Sequence, residues 1–206
     1  MSEANDFSFF APSPFLAHPH RGSHRQKDAF PNEQTRFVAE KLLGNDRVKS
    51  VLNIGYRYDS DHSVREALLA AGKTFSVLEG YKPNCEAMTQ NTLSKMEIFN
   101  LDVRDISKIG KHFDAIIWLH GPEHLPWEEF RDTVRHKVEA MADVFTLYQA
   151  PIGPCPQDEI YGNPFEKHQA TLTGEMFRAL DDGKRYEITN HDQNGEWTFS
   201  ALVGSK

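Results

Sequence analysis

Two histidines bracket a tight turn in His120-Gly121-Pro122-Glu123-His124, and a third, His168, ends the run Gly162-Asn163-Pro164-Phe165-Glu166-Lys167-His168. Imidazoles titrate near neutral pH, so His120 and His124 are candidate general bases. Residues 151–168 run for roughly twenty positions without periodicity, the habit of a lid or binding loop. Within them Asn163, Phe165, Glu166 and His168 offer polar and aromatic groups to a small substrate. A second constellation lies upstream. The apolar run Val51-Leu52-Asn53-Ile54 breaks on Gly55, and a later run, Phe75-Ser76-Val77-Leu78, ends on Glu79. A glycine turn followed at this distance by a carboxylate suits a βαβ unit that holds a nucleoside, the acid accepting from the ribose diol.

The elements that must position these groups alternate. Apolar runs predict strands at 48–54, 75–78, 96–99, 113–119 and 144–148. Helical spacing falls at 32–43, 63–71, 83–91 and 126–142, with a short helix at 105–111. Alternation of this kind implies parallel pairing with right-handed crossovers, hence a doubly wound α/β sheet. The ending differs. A helix at 173–180 precedes strands at 185–189 and 197–203 around a polar turn with Asn194-Gly195, which predicts an antiparallel β-hairpin. Residues 1–31 carry Pro12, Pro14, Pro19 and Pro31 and read as an extended arm, leaving 32–206 as one domain.

In an open α/β sheet, ligands bind beyond the carboxyl ends of the strands. Those ends supply Asn53, Gly55 and Arg57; Glu79; Asp102 and Val103; and Leu119 leading into the histidine loop. Glu79 suits ribose hydroxyls and Asp102 an adenine amino group. Arg57 can fork onto a carboxylate of the ligand, fill the pocket itself, or pair with Asp59 or Asp61. A dinucleotide-dependent dehydrogenase is the weaker reading, because the second and third glycines of that fingerprint are missing.

The segments VLNIG, SVLEG, NLDVRD and FDAIIWLHGPEHL, with the order of elements and the closing hairpin, resemble the class I S-adenosylmethionine-dependent methyltransferases over roughly residues 45–203. The resemblance implies a seven-stranded, mostly parallel sheet whose last strand is inserted antiparallel. It implies S-adenosyl-L-methionine as cofactor, lying along Asn53, Gly55, Arg57, Glu79, Asp102, Val103 and Leu119, with His120 and His124 facing the acceptor. HGPEHL and GNPFEKH are also similar to a group of small bacterial methyltransferase-like proteins. Asn53 stands where the larger family has an acid, and Arg57 and Asp59 stand where it has further glycines. The rival expectation is a non-catalytic methyltransferase-like module that has lost the cofactor.

Composition narrows the partners. A formal charge of −7 with 26% charged residues gives no clustered basic face, so nucleic acid is not an expected partner. No run approaches the roughly 18 apolar residues of a membrane span. Cys85 and Cys155 share no metal-like spacing, and a reduced, cytoplasmic setting is expected. The His18-Pro19-His20 and His24 cluster reads as a polar arm, so no metal site is expected. Arg131, Arg135 and Lys137 alternate with acids, which reads as a solvated helix face.

Overall fold

The computed structural model describes residues 32–90, 96–180, 183, 186–193 and 196–205, without the side chains at 58–60, 192, 193, 196 and 197. The expectations for the arm at 1–31 and for the Asn194-Gly195 turn lie outside the described residues. Seven strands form one sheet in the order β3-β2-β1-β4-β5-β7-β6. β1 (Ser50–Ile54), β2 (Thr74–Leu78), β3 (Glu97–Phe99), β4 (Phe113–Leu119) and β5 (Ala142–Pro151) run parallel. β6 (Tyr186–Gln193) and β7 (Glu196–Gly204) form the hairpin, and β7 pairs antiparallel with β5. The doubly wound α/β sheet with an antiparallel C-terminal hairpin is therefore the observed fold.

The central strands are covered on both faces, which is why they read as continuous apolar runs. Side chains alternate across the pleat. Leu52, Ile54, Ile116 and Trp118 join one core with Phe130, Tyr148, Phe177 and Phe199. Val51, Ala115, Ile117 and Leu119 join the other with Val38 and Leu42 of α1 (Glu33–Leu43) and Val64 and Leu68 of α2 (Tyr58–Ala70). The first core is aromatic: Phe130 lies 5.4 Å from Tyr148 and 5.5 Å from Phe177, ring centre to ring centre.

Several elements differ at their ends from the sequence reading. α2 begins at Tyr58, five residues early, because Asp61 accepts from the Arg57 N–H (2.9 Å) and starts the helix with residues that look like a polar loop. The expected helix at 126–142 is divided into α4 (Trp127–Glu129), a π-helical turn (Phe130–Val134) and α5 (Arg135–Ala140). β5 starts at Ala142 and reaches Pro151, its length set by pairing with both β4 and β7. α3 (Lys82–Gln90) and the short α6 (Gly174–Arg178) complete the layers.

Arg135 is a correction to the solvated-face reading. Its side chain is 3% exposed and that of Glu139 2%, one helical turn on. Arg135 Nη1 donates to the Tyr186 hydroxyl (2.8 Å), which donates to Glu139 Oε1 (2.5 Å), and the Tyr148 hydroxyl reaches the same oxygen (3.3 Å). The sequence cannot distinguish this inward pair from surface charges, because its neighbours on the same helix do point outward. The network joins α5, β5 and β6. Removing one member of a buried pair strands the other charge in low dielectric, so Glu139→Ala should cost about 3–5 kcal/mol. Urea unfolding monitored by circular dichroism measures it; a loss below about 1 kcal/mol contradicts this account.

Candidate functional site

A cavity of about 790 Å³ opens at the carboxyl ends of β1, β2 and β4, roofed by the 151–169 segment. Its first corner is the turn after β1. Gly55 has φ +70°, and a methyl group built on it meets nothing within 4 Å. The conformation asks for glycine, and the space above it stays open. Its N–H donates to the Leu78 carbonyl (2.9 Å), which ties the turn to the end of β2. Beneath it, Asp61 is fully buried and accepts from Asn53 Nδ2 (2.8 Å) and the Arg57 N–H. An acid thus does stand under the turn, supplied from α2 rather than from β1.

Glu79 follows β2 and is 5% exposed. Burial pushes its carboxyl up to about 7, against the lowering effect of the Tyr81 N–H that donates to Oε1 (2.7 Å). After β3, Val103 and Arg104 line the cavity. The carboxylate of Asp102 is engaged elsewhere. It caps the 3₁₀ helix Val103–Ile109 through the Arg104 N–H (2.8 Å) and pairs with Arg104 Nη1 (3.0 Å). Arg104 also forks onto Glu129 (2.6 and 3.0 Å).

The loop after β4 is held tightly. His120 takes φ +50°, uncommon for a residue with a Cβ and a form of strain that clusters at functional sites. Its N–H donates to the Gln149 carbonyl (2.9 Å). Gly121 lies directly on Trp118: a Cβ there would fall 1.7 Å from Trp118 Nε1. Glu123 is 1% exposed, and neither carboxyl oxygen has a hydrogen-bond partner among the described residues. Burial pushes its carboxyl up to about 8, with Arg57 opposing. His124 Nε2 donates to the His120 carbonyl (3.0 Å), leaving Nδ1 unpartnered. Both histidines are pushed down, chiefly by burial: His120 to about 3, with Arg57 adding, and His124 to about 4, with His168 adding. Burial thus favours the neutral imidazoles over the near-neutral titration expected from sequence alone.

The roof is anchored through its backbone. The N–H groups of Gln169 and Ala170 donate to the Glu123 carbonyl (2.8 and 3.0 Å), and Gln169 Nε2 donates to the His124 carbonyl (2.7 Å). This brings the His168 ring to 4.7 Å from that of His124, edge to face. Asn163 accepts from the Phe165 N–H (3.0 Å) and donates to Glu166 Oε1 (3.3 Å). The Phe165 ring lies against Gly80, where a Cβ would come within 3.0 Å of it. Burial raises the Glu166 carboxyl, and Arg57 opposes the shift.

The structure therefore gathers Gly55, Arg57, Glu79, Val103, His120, His124, Asn163, Phe165, Glu166 and His168 around one cavity. Three residues expected at the cofactor, Asn53, Asp102 and Leu119, are not among those that line the cavity. Asn53 and Leu119 point through the sheet to the α1–α2 side, because alternation puts Ile54 and Trp118 on the cavity side instead. Asp102 is consumed by capping and Arg104. Glu123 and Trp118 are wall residues not assigned to the site from sequence. The only available signal for Glu123 was a carboxylate between two histidines in a glycine-proline turn.

No known protein-family model matches the chain, and no curated protein matches it in sequence. Solved structures do. An N-methyltransferase, NodS from Bradyrhizobium japonicum, solved with S-adenosyl-L-homocysteine, superposes with a TM-score of 0.62 at 15% identity over 84% of this chain and 86% of that one. A 1,6-didemethyltoxoflavin-N1-methyltransferase from Burkholderia thailandensis gives 0.59 at 12% identity over 84% and 77%. The small RNA methyltransferase HEN1 gives 0.61 at 10% identity over 90% of this chain and 27% of that one. At identities this low the likeness speaks to the fold alone: this chain has the Rossmann-like α/β architecture that these methyltransferases share. No helix among the described residues is long and apolar enough to cross a membrane.

The contact between Gly121 and Trp118 is testable. Gly121→Ala must displace either the buried indole or the histidine loop, at a cost of about 1–3 kcal/mol. Guanidinium unfolding followed by tryptophan emission reads both stability and indole environment, and a wild-type curve contradicts the contact.

Proposed function

We propose that this protein is an S-adenosyl-L-methionine-dependent methyltransferase acting on a small-molecule acceptor. One observation carries the reading: an open glycine turn at Gly55 and a buried carboxylate at Glu79 share the mouth of one cavity in a methyltransferase fold. The residues fit the cofactor. Glu79 would accept from the ribose diol, Arg57 would fork onto the methionine carboxylate, and Val103 would lie against the adenine. Asn53 and Asp61 shape the turn from below. When bound, the cofactor supplies an electrophilic methyl group.

His120 and His124 stand on the acceptor side. Held neutral by burial, each offers a lone pair to an acceptor proton rather than a positive charge. Asn163, Phe165, Glu166 and His168 close the roof over the substrate. A net charge of −7 and a cavity roofed by the 151–169 segment favour a small acceptor over nucleic acid. The free thiols Cys85 and Cys155 suit a cytoplasmic setting.

Isothermal titration with S-adenosyl-L-methionine and S-adenosyl-L-homocysteine tests the reading. Glu79→Ala should weaken binding about 10- to 100-fold, the loss of hydrogen bonds to a charged acceptor. The pH dependence has a definite sign. The carboxyl is raised to about 7 without ligand, and the diol binds its ionised form. Affinity therefore climbs with pH to about 7 and flattens above, approaching tenfold per unit on the acid side. Glu79→Gln should abolish that slope. Absence of binding by either nucleoside at millimolar concentration overturns the assignment.

A further inference from the structure

We infer that Glu123, His124 and His168 form a binding site for one divalent transition-metal ion in the wall of the cavity. The inference stands on side-chain geometry and goes beyond the methyltransferase reading, which needs no metal; with an ion bound, the one free lone pair of His124, on Nδ1, is taken and His120 is the remaining base. One potential ligand atom from each of the three residues lies within 4.8 Å of the other two. Two imidazoles and one carboxylate are a donor set that suits zinc, iron(II) or manganese and leaves coordination positions open.

Three further observations separate this cluster from a chance meeting of polar groups. First, Glu123 is 1% exposed and lines the cavity, yet both its carboxyl oxygens lack a hydrogen-bond partner among the described residues. His120 Nδ1 stands 3.9 Å from Oε1, beyond hydrogen-bond reach; a buried carboxyl group with unsatisfied oxygens is costly, and a cation is a partner that would satisfy it. Second, each histidine has one ring nitrogen committed to a backbone carbonyl. His124 Nε2 bonds the His120 carbonyl and His168 Nδ1 bonds that of Cys155. Such bonds fix the tautomer and leave the other nitrogen as a lone pair, the arrangement that metal-ligating histidines generally show. Third, the ligands come from two separated segments that the backbone holds together. The His168 N–H donates to the Gln157 carbonyl (3.0 Å), and the next two residues donate to the Glu123 carbonyl.

Zinc bonds of about 2.0–2.2 Å place tetrahedral ligand atoms about 3.3 Å apart, so the set must draw in on binding. His168, on the roof and only half-buried, is the ligand able to rotate. The open positions of the ion would face the cavity and take an oxygen donor, such as a hydroxyl, carboxylate or carbonyl of a small ligand.

Full-length, tag-free protein, stripped with chelator and titrated with zinc chloride by calorimetry, tests the site. One equivalent should bind. Both His124→Ala and His168→Ala should weaken it at least tenfold while keeping the wild-type melting curve, and Glu123→Gln should do the same. A variant with His18, His20 and His24 all changed to Ala should still bind one equivalent. Cobalt(II) should give visible bands without thiolate charge transfer, unchanged in Cys155→Ser. Full retention of binding in His124→Ala and His168→Ala, loss of the equivalent in the arm variant, or thiolate bands would each overturn the proposal. So would the absence of saturable binding in the wild type. These readouts do not involve the nucleoside, so they fail or succeed separately from the methyltransferase assignment.

Discussion

The pleat of the parallel sheet decides what this cavity contains. At the carboxyl edge each strand has a last side chain, and alternation sends it either over the cavity or into the opposite core. Ile54, Leu78 and Trp118 fall on the cavity side. Asn53 and Leu119, one position earlier or later, fall on the other. Only residues beyond the strands escape this rule. For that reason Gly55, Glu79 and the 120–125 loop form the rim, with the roof strapped to them by the amides of Gln169 and Ala170.

Within that enclosure the charge balance is unusual. Glu79, Glu123 and Glu166 are all driven upward by burial, and Arg57 is the cation that acts on the last two. Burying acids in this way costs stability, since an unfolded chain ionises them freely at neutral pH. Shifted groups gathered in a cleft mark a candidate functional site. The buried network of Arg135, Glu139, Tyr148 and Tyr186 offers a contrast: there each charge has partners, and its work is to join helix and hairpin.

Much of the fold was legible from the sequence, because strands covered on both faces have to be continuous apolar runs and the helices between them have to be amphipathic. Gly55 and Glu79 were legible for a related reason: they sit where those runs stop. Asp102 does not line the cavity: a strand-terminal acid serves equally as a helix cap, and its partner, Arg104, is two residues on. Glu123 is not legible as a site residue, since what marks it is the lack of hydrogen-bond partners among the described residues, which spacing does not encode. The meeting of His168 with His124 depends on hydrogen bonds between distant segments: the amides of Gln169 and Ala170 to the Glu123 carbonyl, and the Gln169 side chain to the His124 carbonyl, 45 positions away. Only the assembled chain reveals it.

The place of β7 carries a consequence for how the molecule matures. β7 lies between β5 and β6, so the hairpin joins the sheet by the strand that comes later in the chain. Until the hairpin docks, the ten-residue β5 is bare along one margin, with its amides and carbonyls unclaimed. A long, apolar margin of that kind invites pairing with other chains. Whenever the parallel half stands without the hairpin of Tyr186–Gln193 and Glu196–Gly204, self-association therefore competes with closure.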